Sequence, residues 1–397
     1  MEEEKMPETL LELLQLADDR GMSDEEKTSA FNLFLNAQTR KKAIPLFGQF
    51  ELTPLCNLSC RMCYVHLAPE QMNGHGLLPV NIWKNLIDKA VEAGMMKASL
   101  TGGECLTYPG FDEIYLHLWA MGIRTAVLTN GVLLTEERVR FFQRYPPSLL
   151  QISLYGSGEE EYEAVCGVRC FKTVLTNIKR AHEAKLPLFI AITPNRFLPD
   201  RGESLLRLVA SLDIPYNINS CLFTPRAGTG REDECVDMET EDYIHLYKLR
   251  AHLNGTILSP IDPRALPDLA AYSDEFVTGL RCGAGMNAFT IQWDGAMIPC
   301  SSLSHVRQYP LKTGFEESWK NIHEAALRFP VPAECETCKY NSVCPVCVAI
   351  HAQDAPLGHA SPRRCSRARR LVESGLVRLI ALGNNNFPVE TKKEEPT

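Results

Sequence analysis

The run Cys56-Asn57-Leu58-Ser59-Cys60-Arg61-Met62-Cys63-Tyr64 restricts this chain more than any other stretch. Three cysteines stand at C-x3-C-x2-C, after a β-like run from Phe47 to Thr53 and a loop-opening Pro54. Thiolates so spaced can bind three irons of a cubane iron–sulfur cluster from one tight loop, leaving the fourth iron without a protein ligand. A cluster closed by four cysteines passes electrons, whereas one with an open iron also holds and cleaves a small molecule. The competing assignments are a zinc loop and a disulfide-bonded turn. Zinc takes four ligands and usually paired C-x2-C knuckles, which this loop lacks.

The remaining cysteines carry the same message. Of the 15 in 397 residues, three lie at 56–63, seven between Cys282 and Cys365, and five (Cys105, Cys166, Cys170, Cys221, Cys235) are scattered. The acidic N-terminus lacks the basic-then-apolar order of a signal peptide, and no apolar run reaches the length of a membrane span. The expected location is therefore cytoplasmic, where so many cysteines argue for metal sites rather than disulfides. A net charge of -8 argues against a nucleic-acid partner, and no membrane partner is expected.

Strand-like and helix-like runs alternate from 47 to about 222. The strands are Phe47–Thr53, Lys97–Thr101, Arg124–Thr129, Leu149–Leu154, Pro187–Thr193 and Tyr216–Leu222. Between them lie Asn81–Ala93, Phe111–Met121, Glu136–Arg144, Lys172–Ala184 and Glu203–Ser211. Six such units predict an α/β fold, a partial (β/α)6 TIM-like barrel with a parallel sheet and functional residues at the C-terminal strand ends. Five regions follow: a helical segment 1–46, the partial barrel 47–230, a connector 231–281, a small cysteine-rich C-terminal iron–sulfur domain 282–370, and a C-terminal helix and polar tail 371–397. The first is expected to be a helical cap on the barrel, the connector to hold a helix over Glu241–Leu253, and Ala288–Pro299 to be a hairpin.

Candidate ligand-binding residues sit at the strand ends. Thr101-Gly102-Gly103-Glu104 closes the second strand, Thr129-Asn130-Gly131 the third, and Ser153 lies near the end of the fourth. Paired glycines let a backbone approach its neighbour closely. Cys221 ends the sixth strand and Cys105 follows the glycine turn, so either is a candidate to face the barrel mouth and give a hydrogen atom to a radical. The basic run Arg363, Arg364, Arg367, Arg369 and Arg370 is expected to be a solvated helix face, with attraction of an acidic peptide as the functional alternative.

The three-cysteine loop closely resembles the signature of the radical S-adenosylmethionine (SAM) enzymes, and Gly102-Gly103-Glu104 looks like that family's GGE motif. The resemblance implies a [4Fe-4S] cluster on Cys56, Cys60 and Cys63, with SAM on the fourth iron. One electron would cleave SAM to methionine and a 5'-deoxyadenosyl radical, which abstracts hydrogen from a substrate. It further implies that Tyr64 lies near the adenine, that Gly102, Gly103 and Glu104 meet the SAM amino group, that Asn130 joins the cofactor site, and that Ser153 contacts the ribose or the methionine carboxylate.

The second cysteine group reads C-x12-G-x4-C from Cys282 through Gly295 to Cys300, then C-x2-C-x5-C-x2-C over Cys335, Cys338, Cys344 and Cys347, then Cys365. It closely resembles the SPASM domain, one residue short before Cys347. The resemblance implies two auxiliary [4Fe-4S] clusters, one on Cys335, Cys338, Cys344 and Cys365, the other on Cys282, Cys300 and Cys347. Phe276 stands where some members carry an eighth cysteine, which would leave one iron open to a substrate thiolate. Two zinc knuckles are the competing assignment.

Taken together, these features imply a radical SAM maturase of a ribosomally made peptide, installing a thioether or carbon–carbon crosslink. A peptide or protein substrate and a reducing partner such as flavodoxin or ferredoxin would be its partners. Relatives grip leader peptides with a winged-helix module of roughly eighty residues, more than the N-terminal segment can hold. The alternatives are formylglycine formation of the anaerobic sulfatase-maturase kind, a cofactor-biosynthesis radical SAM enzyme, and a non-catalytic iron–sulfur electron carrier.

Overall fold

A computed structural model describes residues 9–19, 21–72, 74–219, 222, 237–255, 280, 282–340, 344 and 347–376. Strands β1 (Phe47–Glu51), β2 (Lys97–Thr101), β3 (Arg124–Thr129), β4 (Leu149–Leu154), β5 (Leu188–Ile192) and β6 (Tyr216–Ile218) pair in parallel with their sequence neighbours. The sheet then continues past β1. Strand β7 (Ala288–Ile291) pairs in parallel with β1, and β8 (Met297–Ile298) returns antiparallel, giving the order β6-β5-β4-β3-β2-β1-β7-β8. The expected hairpin is present, and it extends the barrel sheet on the β1 side.

Parallel registers place Phe50, Leu100, Val127 and Leu150 in one row, all fully buried. Helices Val80–Glu92, Phe111–Ala120, Glu136–Arg144 and Phe171–Glu183 bury their apolar faces as Trp83, Ile114, Phe142 and Ile178. Trp83 meets Phe50 edge-on at 6.2 Å. Each such side chain contributes about 1.5–3 kcal/mol on burial. Alternation sends Gln49, Ser99, Gln151 and Ser153 to the opposite face. One face of the sheet is thus an apolar floor for helices and the other is largely polar.

Helix Asp24–Lys41 packs at the start of the strands. The Asn287 amide, just ahead of β7, donates to Thr39 Oγ1 at 2.9 Å, and Lys97 at the start of β2 donates to Asn32 Oδ1 at 3.3 Å. Trp319 Nε1 donates to the Ala43 carbonyl at 2.5 Å. Helix Asp24–Lys41 covers the end of the sheet away from the cysteine loop.

A second, smaller core of Leu280, Met286, Leu303, Ala326, Phe329 and Ala349 packs beside Cys300 and Cys347. Helix Pro362–Glu373, capped by Ser361, carries the basic run. That run is a solvated face only in part: Arg363, Arg369 and Arg370 are exposed, but two of its arginines are not. Arg364 and Arg367 are buried on Asp237 at 3.1 and 3.0 Å, and Arg370 pairs with Glu241 at 2.8 Å. The arginines staple this helix to the connector helix Thr240–Leu253. Among the described residues no helix is long and apolar enough to cross a membrane.

Candidate active site

The cysteine loop leaves β1 and is fastened to the turn after β2. Gly103 N–H donates to the Thr53 carbonyl at 2.7 Å and Glu104 N–H to Leu55 O at 2.9 Å. Gly102 sits at φ +142, where other residues are strained, and a Cβ on it would lie 2.3 Å from Thr53 O. A Cβ on Gly103 would lie 2.3 Å from Leu55 O. The close backbone approach that the paired glycines permit is therefore made to the chain's own cysteine loop. On its other side, Ser59 and Arg61 N–H groups donate to the Cys166 and Val165 carbonyls, each at 2.9 Å, at the end of helix Glu159–Cys166.

Cys60 and Cys63 both lie close enough to Cys56 to act on it electrostatically. Burial pushes the Cys56 thiol up to about 12. A metal must therefore replace the proton for the thiolate to persist there at neutral pH. N–H groups already point at the sulfurs: Leu58 N at 3.4 Å and Asn130 Nδ2 at 3.6 Å from Cys56 Sγ, and His66 N at 3.2 Å from Cys63 Sγ. Three thiols carried on one fastened loop, supplied with N–H donors, suit a cluster held by three cysteines.

Glu104 is buried beside this loop. Its Oε1 accepts from Thr129 Oγ1 at 2.8 Å and Leu106 N at 3.1 Å, and its Oε2 from Asn130 N at 2.7 Å. Burial raises its pKa, and these donors act against that rise. Asn130 reaches on to Asn57 Oδ1 at 2.7 Å. Its loop is held by Asn177, whose amide donates to the Gly131 and Val132 carbonyls at 2.8 and 3.1 Å. Ser153 stands on the polar side of β4, with Tyr155 two residues on as a side-chain hydrogen-bond partner. Burial pushes the Tyr155 phenol well above its ordinary range. Tyr64 is half-buried directly after the loop. Asn57, Tyr155 and Asn177 are not singled out by the sequence, and Thr129 enters there only as the end of the third strand. Their one signal is adjacency to the motifs, and Asn177 lacks even that.

The scattered cysteines divide. Cys105 does not face the barrel mouth: it is fully buried, its Sγ donates to Leu128 O at 3.2 Å, and burial holds its thiol well above the ordinary range. Cys166 and Cys170 are also buried. Cys221, Cys235 and Phe276 lie outside the described residues.

In the C-terminal region Cys282, Cys300 and Cys347 come together. Burial pushes Cys300 up to about 11, with Cys282 adding to the rise, and Cys347 up to about 12, with Cys282 and Cys300 adding. Cys365 and Cys338 form a second neighbouring pair. Cys335 and Cys344 are half-buried. Cys282 is exposed and Cys300 and Cys347 are half-buried beside the small core, a grouping that suits thiolate ligation of an iron–sulfur group. Among the described residues no three His, Cys, Asp or Glu side chains converge as ligands of a single metal ion would.

Residues 50–209 match the model of the Radical SAM superfamily. The sporulation killing factor maturation protein SkfB of Bacillus subtilis (strain 168) is 25% identical over 300 residues, covering 75% of this chain and 69% of that protein. The AdoMet-dependent heme synthase of Methanosarcina barkeri (strain Fusaro / DSM 804) is 26% identical over 331 residues, 77% of this chain and 91% of that protein. Among solved structures, Streptococcus suis SuiB bound to S-adenosylmethionine superposes with a TM-score of 0.65 at 16% identity, over 89% of this chain and 87% of that one. SuiB bound to precursor peptide SuiA gives 0.63 at 16% identity, over 85% and 80% of the respective chains. At such identities the structural likeness concerns the fold.

Proposed function

We propose, from the match of residues 50–209 to the Radical SAM superfamily model, that this chain is a radical SAM maturase of a ribosomally made peptide. It abstracts hydrogen from the peptide and installs a thioether or carbon–carbon crosslink. The observation that supports this most is the fastened loop of Cys56, Cys60 and Cys63 with N–H donors aimed at its sulfurs. The Gly102-Gly103-Glu104 turn beside that loop is a feature that an electron carrier does not need. Similarity to a killing-factor maturation protein, and to a fold solved with a precursor peptide, supports a peptide substrate.

When bound, a [4Fe-4S] cluster with SAM on its open iron supplies a carbon radical that takes hydrogen from the peptide. The chain's own residues hold and shield that chemistry. Cys56, Cys60 and Cys63 ligate the cluster. Tyr64, the backbone of Gly102 and Gly103, and Ser153 hold SAM, with Glu104 and Asn130 at the same strand ends. In the C-terminal unit, Cys335, Cys338, Cys344 and Cys365 hold one auxiliary cluster, and Cys282, Cys300 and Cys347 hold another. A flavodoxin or ferredoxin delivers the electron, and the cytoplasm is the compartment that keeps these thiols reduced.

The test is SAM cleavage by anaerobically reconstituted protein, with and without the Cys56→Ala/Cys60→Ala/Cys63→Ala changes. The intact protein should release 5'-deoxyadenosine and, given its precursor peptide, a product lighter by the hydrogens removed. The triple variant should release none while keeping its auxiliary clusters. Continued SAM cleavage by that variant would overturn the assignment. A second reading, cofactor assembly on a small molecule, is favoured by the heme synthase match over 91% of that protein. Turnover of a tetrapyrrole with no peptide turnover would select it.

A further inference from the structure

At the mouth of the sheet the Glu104 carboxylate is 1% exposed. A carboxylate offers about four lone-pair sites. Here Thr129 Oγ1, Leu106 N and Asn130 N already fill three, at 2.8, 3.1 and 2.7 Å. Two of these donors belong to the end of β3, so the carboxylate ties the turn after β2 to Thr129 and Asn130. The tie has a direction. Asn130, 5% exposed, is held by Glu104 at its backbone and by Val132 N at its Oδ1, at 3.0 Å. With those anchors fixed, its Nδ2 is left to face Asn57 Oδ1 at 2.7 Å and Cys56 Sγ at 3.6 Å.

We infer that Glu104 is a positioning residue for the first cysteine: through Asn130 it aims an amide N–H at Cys56 Sγ, and so acts on the cluster before any SAM arrives. The inference rests on Cys56 being a cluster ligand. An N–H donor to a ligating sulfur stabilises the reduced, more negative cluster and raises its potential. A direct contact to the SAM amino group would instead leave the SAM-free cluster unaffected.

The two roles separate in an EPR-monitored redox titration of the full reconstituted chain without SAM. The relevant signal is the one absent from the Cys56→Ala/Cys60→Ala/Cys63→Ala variant. Asn130→Leu should shift its potential negative, by up to about 59 mV for a tenfold change in the one-electron reduction equilibrium. Glu104→Gln should shift it in the same direction, because its amide would face the Asn130 N–H donor to donor. The double variant should add little to either. If Glu104→Gln keeps the wild-type SAM-free potential while weakening SAM binding, the inference is overturned. Asn130→Leu retains all three bonds to Glu104, two of them from backbone. It therefore decides the matter even if Glu104→Gln fails to hold iron: an unmoved potential overturns the inference. If no signal disappears in the triple cysteine variant, the fault lies in the cluster assignment instead.

Discussion

Asp237→Ala should loosen the helix that carries Cys365. The Asp237 side chain is 6% exposed and faces Arg364 Nη1 at 3.1 Å and Arg367 Nη1 at 3.0 Å, whose side chains are 7% and 4% exposed. Tyr243 hydroxyl also donates to it at 3.0 Å. Arg363, at 3.5 Å and 45% exposed, adds little. Removing one partner of a buried pair costs about 3–5 kcal/mol, because the remaining charge stays buried. The lower end applies here: Arg364 keeps Asp354 Oδ2 at 3.1 Å and Arg367 keeps the Met238 carbonyl at 2.8 Å. A loss of about 3 kcal/mol is roughly a hundredfold in the opening equilibrium. Hydrogen exchange read by mass spectrometry should therefore show amides of Pro362–Glu373 exchanging about a hundred times faster, with the barrel helices little changed. Adding Arg364→Leu should recover part of the loss. Acceleration below about fivefold, equivalent to roughly 1 kcal/mol, would mean that the arginines behave as surface charges and that the staple reasoning is wrong.

Reconstituted protein should bind about twelve irons as three four-iron clusters; iron near four per chain, or stoichiometric zinc, removes the auxiliary clusters. Gly103→Ala should cost the three-cysteine site its iron while circular dichroism stays near wild type, because the added Cβ meets Leu55 O at 2.3 Å in the loop itself; full iron loading would show that the turn can yield. A Cys-containing peptide substrate should perturb the spectrum of one auxiliary cluster, and its Cys→Ser form much less, if an iron there is open to a thiolate. Equal responses would point to a closed electron relay.

Local pattern carried most of the barrel. Leu149–Leu154 and Glu136–Arg144 fall where alternation and helical period place them. The short acidic helix Glu159–Cys166 escaped notice, since eight residues give little over two turns of periodicity. Contacts between distant residues were not legible. Nothing near residue 288 states that β7 will pair with β1, some 240 residues earlier. Arg364 and Arg367 read as a solvated basic run because their partner, Asp237, lies more than 120 residues away. At the candidate site the cysteine spacing named the thiols that the structure gathers on one loop. It could not show that Gly102 and Gly103 pack on the cysteine loop, nor that Cys105 points into the core at Leu128 O.

The position of β7 also bears on how the two cysteine groups are placed relative to each other. β1 runs directly into the loop of Cys56, Cys60 and Cys63, and β7 lies beside it in register from Phe47–Ala288 to Phe50–Ile291. Cys282 precedes β7 by six residues and Cys300 follows β8 by two, so both flank a hairpin fixed to the strand that feeds the cysteine loop. Helix Asp24–Lys41 clamps the same joint through Asn287. Parallel pairing permits no slip of one residue without turning Phe289 away from Phe50, which it meets edge-on at 6.0 Å in the buried core. The spacing between the cysteine loop and the Cys282 and Cys300 positions is therefore set by sheet register rather than by the connector, and changes in connector length should alter folding efficiency more than the distance between the two cysteine groups.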